Sequence, residues 1–253
     1  MHMDSDRLQG EFMDVVYTDP ARDDVDYYVD RATAVEGSVL ELGCGTGQIY
    51  HELLEAGVDA DGIDISVDSL AVLRKKAKEK GLEPSVWQAD MTEFSVDREY
   101  ALVTCPFNAI QQLILAEQQQ SLFESVYDAL APGGTFVFDT FVPNLEYIAE
   151  MWGEWQQRTI EFQGEPVEFH TCTRMVDEVT QEYVSEKKAI TKDGEQLFST
   201  EEQSTLLPYR EIELLVRLSS FESWNVTGDY TDEPLANGHS TQVWTLERTP
   251  TCD

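Results

Sequence analysis

Apolar and polar positions along the chain alternate between two periods. Short, nearly continuous apolar runs fall at 38–42, 60–64, 85–88, 100–104 and 135–139. Runs of this kind predict strands buried on both faces of a parallel sheet. Between them lie stretches with helical spacing. Ile49, Leu53 and Leu54 mark 47–56, Leu70, Val72, Leu73 and Ala77 mark 67–80, and a third covers 117–130. Gly81 is placed to end the second of these. After Phe141-Val142-Pro143-Asn144 the period drops to two. Val167, Phe169, Thr171, Thr173 and Met175 alternate with Glu168, His170, Cys172 and Arg174. Two further alternating runs, 183–191 and 196–206, are joined by Lys192-Asp193-Gly194, a hairpin signal. The spacing therefore predicts an antiparallel meander over 155–207, a stretch too long to be a structureless loop. A helix over 210–218 and strands over 224–230 and 241–248 complete the chain. Ahead of everything, Phe12, Val15, Val16 and Tyr17, then Tyr27, Tyr28 and Val29, predict two amphipathic helical segments within 4–36. The expected fold class is α/β, one domain spanning 1–253. Its parts are a helical cap (4–36), a strand–helix core (37–143), the inserted sheet (155–207) and the rest of the core (208–249).

Chemistry enters at the first strand. Ser38-Val39-Leu40-Glu41-Leu42 runs into Gly43-Cys44-Gly45-Thr46-Gly47, three glycines at alternate positions leading into a helix. Glycine there admits positive φ and lets a ligand lie against bare backbone. Strand, glycine-rich turn and helix form the first half of a nucleotide-binding βαβ unit. The spacing Glu41-x-Gly43-x-Gly45-x-Gly47 is not the G-x-G-x-x-G of dinucleotide sites, which counts against a nicotinamide-dependent oxidoreductase. Asp64 ends the next strand seventeen residues past Gly47, near the separation of about twenty expected for a ribose-binding acid.

This succession resembles the class I S-adenosylmethionine (AdoMet)-dependent methyltransferases, and the likeness continues downstream. Ala60 to Ser66 is similar to their second strand and Gln88-Ala89-Asp90-Met91 to the motif beside adenine. Tyr100 to Asn108 is similar to the fourth strand with its following loop, and Leu130 to Asp139 to the turn and fifth strand. The resemblance implies a Rossmann-like seven-stranded sheet and AdoMet as cofactor. It also implies roles residue by residue. Glu41 and the backbone of Gly43, Cys44, Gly45, Thr46 and Gly47 would position the methionyl part. Asp64 would hold the ribose and Asp90 with Met91 the adenine, with Ile65 also lining the cofactor site. Phe107 would complete the cofactor wall, and Asn108 would sit beside the donor methyl and the acceptor. Phe107-Asn108 departs from the Asn/Asp-Pro-Pro-Tyr motif of enzymes that modify nucleic acids.

Methyl transfer from a sulfonium needs alignment of donor and acceptor more than acid catalysis, and alignment alone can lower a barrier by ~7–11 kcal/mol. The sequence accordingly names the cofactor better than it names a base. His170 is the histidine considered as a base, against a purely structural role. Tyr17, Tyr28, Asn108 and Arg174 are the side chains expected around the acceptor, under a cover made by the inserted sheet and the N-terminal segment. The alternative use of that sheet is a homodimer contact. The expected activity is methyl transfer to nitrogen or oxygen of a small molecule. A non-catalytic AdoMet-binding sensor or scaffold is the alternative. Cys44 and Cys105 read as small packing residues. No metal-ligand spacing is found, so no metal is expected.

Composition then sets the surroundings. The chain has 253 residues, 49 acids against 17 bases, and a net charge of −32. An ordinary apolar fraction of 42% excludes disorder as the reason for this charge. The acidity reads either as an acidic pocket or partner surface or as a protein kept soluble in concentrated salt; the spread of the acids along the chain favours the second, and a halophilic origin is expected. Nucleic acid is not expected as a partner, since phosphate binding needs a basic patch. The absence of a CxxC pair and of a long apolar run points to a reduced cytoplasmic protein with no membrane partner. Screening should relieve carboxylate repulsion, because the Debye length falls to ~3 Å at 1 M salt. The thermal midpoint is therefore expected to rise steeply from dilute buffer to molar KCl in a calorimetric series. A flat midpoint would remove the halophilic reading.

Overall fold

The computed structural model describes residues 2–17 and 23–250, without the side chains of 2–7, 17 and 23. Its packing divides the chain into two units, one made of 22–142 with 207–253 and the other of 1–21 with 143–206.

The larger unit is built on a seven-stranded sheet. Strands β1 (Val39–Leu42), β2 (Ala60–Asp64), β3 (Ser85–Gln88), β4 (Tyr100–Cys105) and β5 (Leu130–Phe141) run parallel. Strand β11 (Thr241–Glu247) pairs antiparallel with both β5 and β10 (Ser223–Gly228). The spatial order is β10-β11-β5-β4-β1-β2-β3, so β1 lies between β4 and β2 near the middle. Each of its four residues is buried, as the apolar run Val39–Leu42 requires. Helices α2 (Asp23–Ala34), α3 (Tyr50–Glu55) and α4 (Val67–Lys80) contribute Tyr28, Tyr50, Leu53, Leu70 and Leu73 to one core cluster. Helices α5 (Ala116–Ala129) and α7 (Tyr209–Leu218) contribute Leu122, Phe123, Ile212 and Val216 to another, together with the 3₁₀ turn Ala109–Gln112. The turn that enters β5 shows how tightly the backbone packs: a Cβ added at Gly134 would lie 2.8 Å from the Tyr100 carbonyl oxygen. Helix α4 obeys its local signals at both ends. Ser66 caps the start by accepting from the Ser69 N–H at 3.1 Å, and Gly81 closes the end at φ 73°.

The second unit is a four-stranded antiparallel meander of β6 (Gln156–Phe162), β7 (Glu165–Asp177), β8 (Glu182–Thr191) and β9 (Gln196–Thr205), preceded by helix α6 (Leu145–Met151). The predicted hairpin at Lys192-Asp193-Gly194 is present, with Gly194 at φ 85°. Two elements went beyond the sequence reading. One is α6, capped by the Asn144 side chain accepting from the Tyr147 N–H. The other is β6, joined to β7 by the two-residue turn Gln163-Gly164 with φ 54° and 83°, the positive pair a tight hairpin needs. Helix α1 (His2–Tyr17) belongs to this unit and not with α2. Its Phe12 is fully buried against Phe162, Phe169 and Phe198, with ring centroids 5.1, 5.4 and 5.3 Å away. The two halves of the expected helical cap therefore pack separately. Among the described residues, no helix is long and apolar enough to cross a membrane.

Phe12 is the central contact of that small cluster, so Phe12→Ala should cost about 3–5 kcal/mol, as large-to-small core changes of an aromatic do. Urea unfolding together with hydrogen exchange in β6–β9 measures it. Unchanged exchange in those strands would show that α1 is dispensable to the sheet.

Candidate active site

Parallel strands end at one edge of their sheet, and open α/β sheets bind ligands in the crevice outside the carboxyl ends. At that edge β1 passes into the glycine turn, where Gly43, Gly45 and Gly47 adopt φ of 67°, 50° and 89°. Gly47 is there for packing: a Cβ would come within 2.6 Å of the His51 ring and 2.8 Å of Leu73. Gly43 and Gly45 instead stand clear of close neighbours, the nearest to Gly43 being the Ala109 Cβ at 3.6 Å. That distance puts the turn after β4 next to the glycine turn.

Three carboxylates stand at the ends of strands here. Asp64, ending β2, accepts from the Gly45 N–H at 2.8 Å through one oxygen and from the Ser66 N–H at 2.7 Å through the other. It thus locks the glycine turn to β2. A carboxylate has about four lone-pair positions, so two remain for ribose hydroxyls. Glu41, in β1, is 2% exposed, and its Oε2 has no hydrogen-bond partner. Burial first, and then the charge of Asp64, push its carboxyl well above the usual range. A buried polar atom without a partner costs about 1–3 kcal/mol, more if charged, which makes Glu41 a group waiting for a donor. The ammonium and sulfonium of AdoMet carry the positive charge it lacks, so the residues fit that cofactor.

The third carboxylate, Asp139 near the end of β5, is fully buried. Its Oδ2 accepts from the Tyr28 hydroxyl at 2.6 Å and the Phe107 N–H at 3.0 Å, and its Oδ1 accepts from the Asn108 N–H at 3.0 Å. Burial raises its carboxyl to about 6 against the pull of those three bonds. Its folded value thus lies above its unfolded one. The stabilising contribution is complete below the unfolded value, near 3.9, and is lost as the pH climbs through about 6. Phe107 and Asn108 sit at φ 60° and 58°, two successive left-handed residues without glycine's freedom. Such conformations cost of order 1–3 kcal/mol each and persist where the surroundings hold them. The Asn108 side-chain oxygen adds a further tie, accepting from the Phe141 N–H at 2.6 Å.

The structure brings Glu41, the glycine turn, Asp64 and the Phe107–Asn108 turn to one edge of the sheet. Ile65, just past Asp64, is 67% exposed, an apolar face fit for a ligand to cover. Asp90 accepts through Oδ1 from the Thr92 N–H and hydroxyl at 2.8 and 2.7 Å, and Met91 packs on the apolar cluster behind it. Cys44 and Cys105 are buried and burial raises both thiols, in keeping with packing roles. Tyr28 requires a correction. It is fully buried with its hydroxyl given to Asp139, so it supports the site from behind and does not line an acceptor pocket. The Tyr17 side chain lies outside the described residues. His170 and Arg174 belong to the meander. His170 is half-buried opposite Lys188, and the Arg174 Nε donates to Glu186 at 2.7 Å. Asp139 was missed as a site residue. Its signal was present: an acid directly after Phe136-Val137-Phe138, where burial on both faces demands a reason for charge.

Glu41→Gln should lift the midpoint of the cofactor-free protein by a few degrees, because it removes the cost of burying an ionisable carboxyl beside Asp64. The same change should weaken AdoMet by roughly tenfold to a hundredfold, the worth of a charge-assisted hydrogen bond. Calorimetry on the two proteins reads both effects, and unchanged affinity would take Glu41 out of the cofactor site.

Comparison with known proteins bears on the domain and the fold. Residues 39–134 match the model of a methyltransferase domain. A curated relative, the cypemycin N-terminal methyltransferase of a Streptomyces species, is 27% identical over 216 residues, 83% of each chain. An S-adenosylmethionine-dependent methyltransferase from Clostridium acetobutylicum superposes with a TM-score of 0.73 at 18% identity, covering 92% of this chain and 93% of its own. CalS10, an amino pentose methyltransferase from Micromonospora echinaspora solved with S-adenosylmethionine bound, gives 0.70 at 18%, with the same coverage. At that identity the two structures speak for the fold, Rossmann-like with the separate antiparallel sheet. Residues 39–134 are a methyltransferase domain, and the chain is an enzyme of that class.

Proposed function

We propose that the enzyme methylates nitrogen or oxygen of a small molecule, with an amine as the favoured acceptor. The observation that carries the reading is the four-stranded antiparallel sheet inserted after β5 of a methyltransferase core. An amino pentose enzyme shares that architecture along most of the chain, and the curated relative is named for N-terminal methylation. Bound AdoMet would supply an activated sulfonium methyl group for displacement by the acceptor's lone pair. The chain's own residues bind and orient. Asp64 holds ribose hydroxyls while fixing the glycine turn, Glu41 meets the positive methionyl end, and Asp90 with Met91 and Ile65 frames the adenine. With its oxygen held by Phe141, Asn108 has its amide N–H groups to offer an acceptor. The net charge of −32 argues against a nucleic-acid acceptor and for a salt-rich cytoplasm.

The test supplies AdoMet carrying a ¹³C methyl group with panels of amino sugars, short peptides with free N-termini, and catechols. S-adenosylhomocysteine is followed by chromatography and the label by NMR. The expected result is one equivalent of S-adenosylhomocysteine per methylated small molecule, with the label on nitrogen. Turnover confined to nucleic acid, or none with any amine or hydroxyl panel, overturns the reading.

A further inference from the structure

We propose that Asp139 is a positioning residue that sets the wall of the cofactor cleft, by clamping the Phe107–Asn108 turn beside the glycine turn. The inference rests on the reading that AdoMet occupies this edge of the sheet. Asp139 itself, fully buried, touches no ligand. It joins three separate parts of the chain through one carboxylate. Helix α2 reaches it through the Tyr28 hydroxyl, the turn after β4 through two consecutive N–H groups, and β5 carries it. The arrangement is specific to the turn's shape. A pair of N–H groups from adjacent residues converges on one carboxylate only when the backbone curls around it, and the left-handed pair Phe107 and Asn108 gives that curl. Asn108 closes the turn from its other side by accepting from the Phe141 N–H, two residues beyond Asp139 on the same strand.

What the clamp fixes is the neighbour of the glycine turn. Ala109, the next residue, stands where a Cβ on Gly43 would touch it at 3.6 Å. Phe107 presents an exposed aromatic face, 37% accessible, at the same edge. Were the turn to relax to ordinary right-handed or extended backbone, Phe107, Asn108 and Ala109 would shift together, and the gap beside Gly43 would change with them. A core acid kept only for packing would have no reason to bind two consecutive strained amides. The groups facing Asp139 are the phenol of Tyr28, the more distant carboxylate of Asp24 and the Cys105 thiol, none of them a cation to neutralise it. The turn's N–H groups are its compensation.

The experiment compares the full chain with Asp139→Asn and Tyr28→Phe, using AdoMet itself as the probe. NMR-detected hydrogen exchange reads the Phe107 and Asn108 amides without cofactor, and calorimetry reads AdoMet affinity well below each thermal midpoint. Asp139→Asn should speed exchange at those two amides at least tenfold, leave β2 and β3 protected, and weaken AdoMet about tenfold. Tyr28→Phe, which removes one of three donors and leaves no cavity, should do the same in smaller measure, with AdoMet two- to fivefold weaker. It carries the test alone if Asp139→Asn does not fold. A lowered midpoint with unchanged exchange at Phe107 and Asn108 and unchanged AdoMet affinity makes Asp139 a core residue only and overturns the proposal. The exchange measurement needs neither cofactor nor acceptor, so an error in the small-molecule reading leaves it standing.

Discussion

A carboxylate buried within a sheet covered on both faces must find its hydrogen bonds inside the protein, and the site follows from that constraint. Glu41, Asp64 and Asp139 each bring a carboxylate to this edge. Burial of a charge is tolerable only where hydrogen bonds replace the lost solvent. Asp64 and Asp139 find theirs in backbone N–H groups, and each thereby freezes a turn, the glycine turn in one case and the Phe107–Asn108 turn in the other. Glu41 finds none for Oε2. Two carboxylates hold turns, and the third keeps an oxygen without a partner.

The same contrast explains what the sequence made legible. Strand–turn–helix succession depends on local period and glycine spacing, so β1 to β5, the glycine turn and the capped helix α4 could be read off residue order. So could the Asp193-Gly194 hairpin. Strand β6 could not, because Gln156-Gln157-Arg158-Thr159 is polar and mostly exposed, and its pairing comes from the tight turn at Gln163-Gly164. Tyr28 misled for a related reason. An aromatic on an amphipathic helix announces burial, but its partner, Asp139, lies 111 residues away. Long-range polar pairs leave no period behind them. Asp139 could have been suspected only by asking why an acid follows a buried apolar triplet. The helical segments within 4–36 read as one cap, yet Phe12 and Tyr28 join different clusters, a choice that helix amphipathicity does not encode.

Charge adds a second layer. With 49 acids and 17 bases, the chain gains little from placing further negative groups indoors. Surface repulsion is screened by salt within a few ångströms, while a pair such as Glu41 and Asp64, shielded by protein, feels salt far less. Salt can therefore relieve the exterior while leaving the Glu41 carboxyl held up by burial and by Asp64.

Binding and order in this cleft are consequently linked. On the proposed reading, a cofactor that meets Glu41 would remove an uncompensated buried polar atom, and a ribose contact at Asp64 would bear on the same carboxylate that holds Gly45. A ligand stabilises a fold in proportion to its preference for the folded state. Here the preference is built from groups the apo protein leaves short of partners, so the free enzyme holds its shape at some cost in stability. The left-handed pair at Phe107 and Asn108 belongs to the same economy, since strain that survives in a buried turn must be held by its neighbours. Asp139 and the Phe141 N–H do so from within the core, which lets the exposed side of the turn remain available to chemistry.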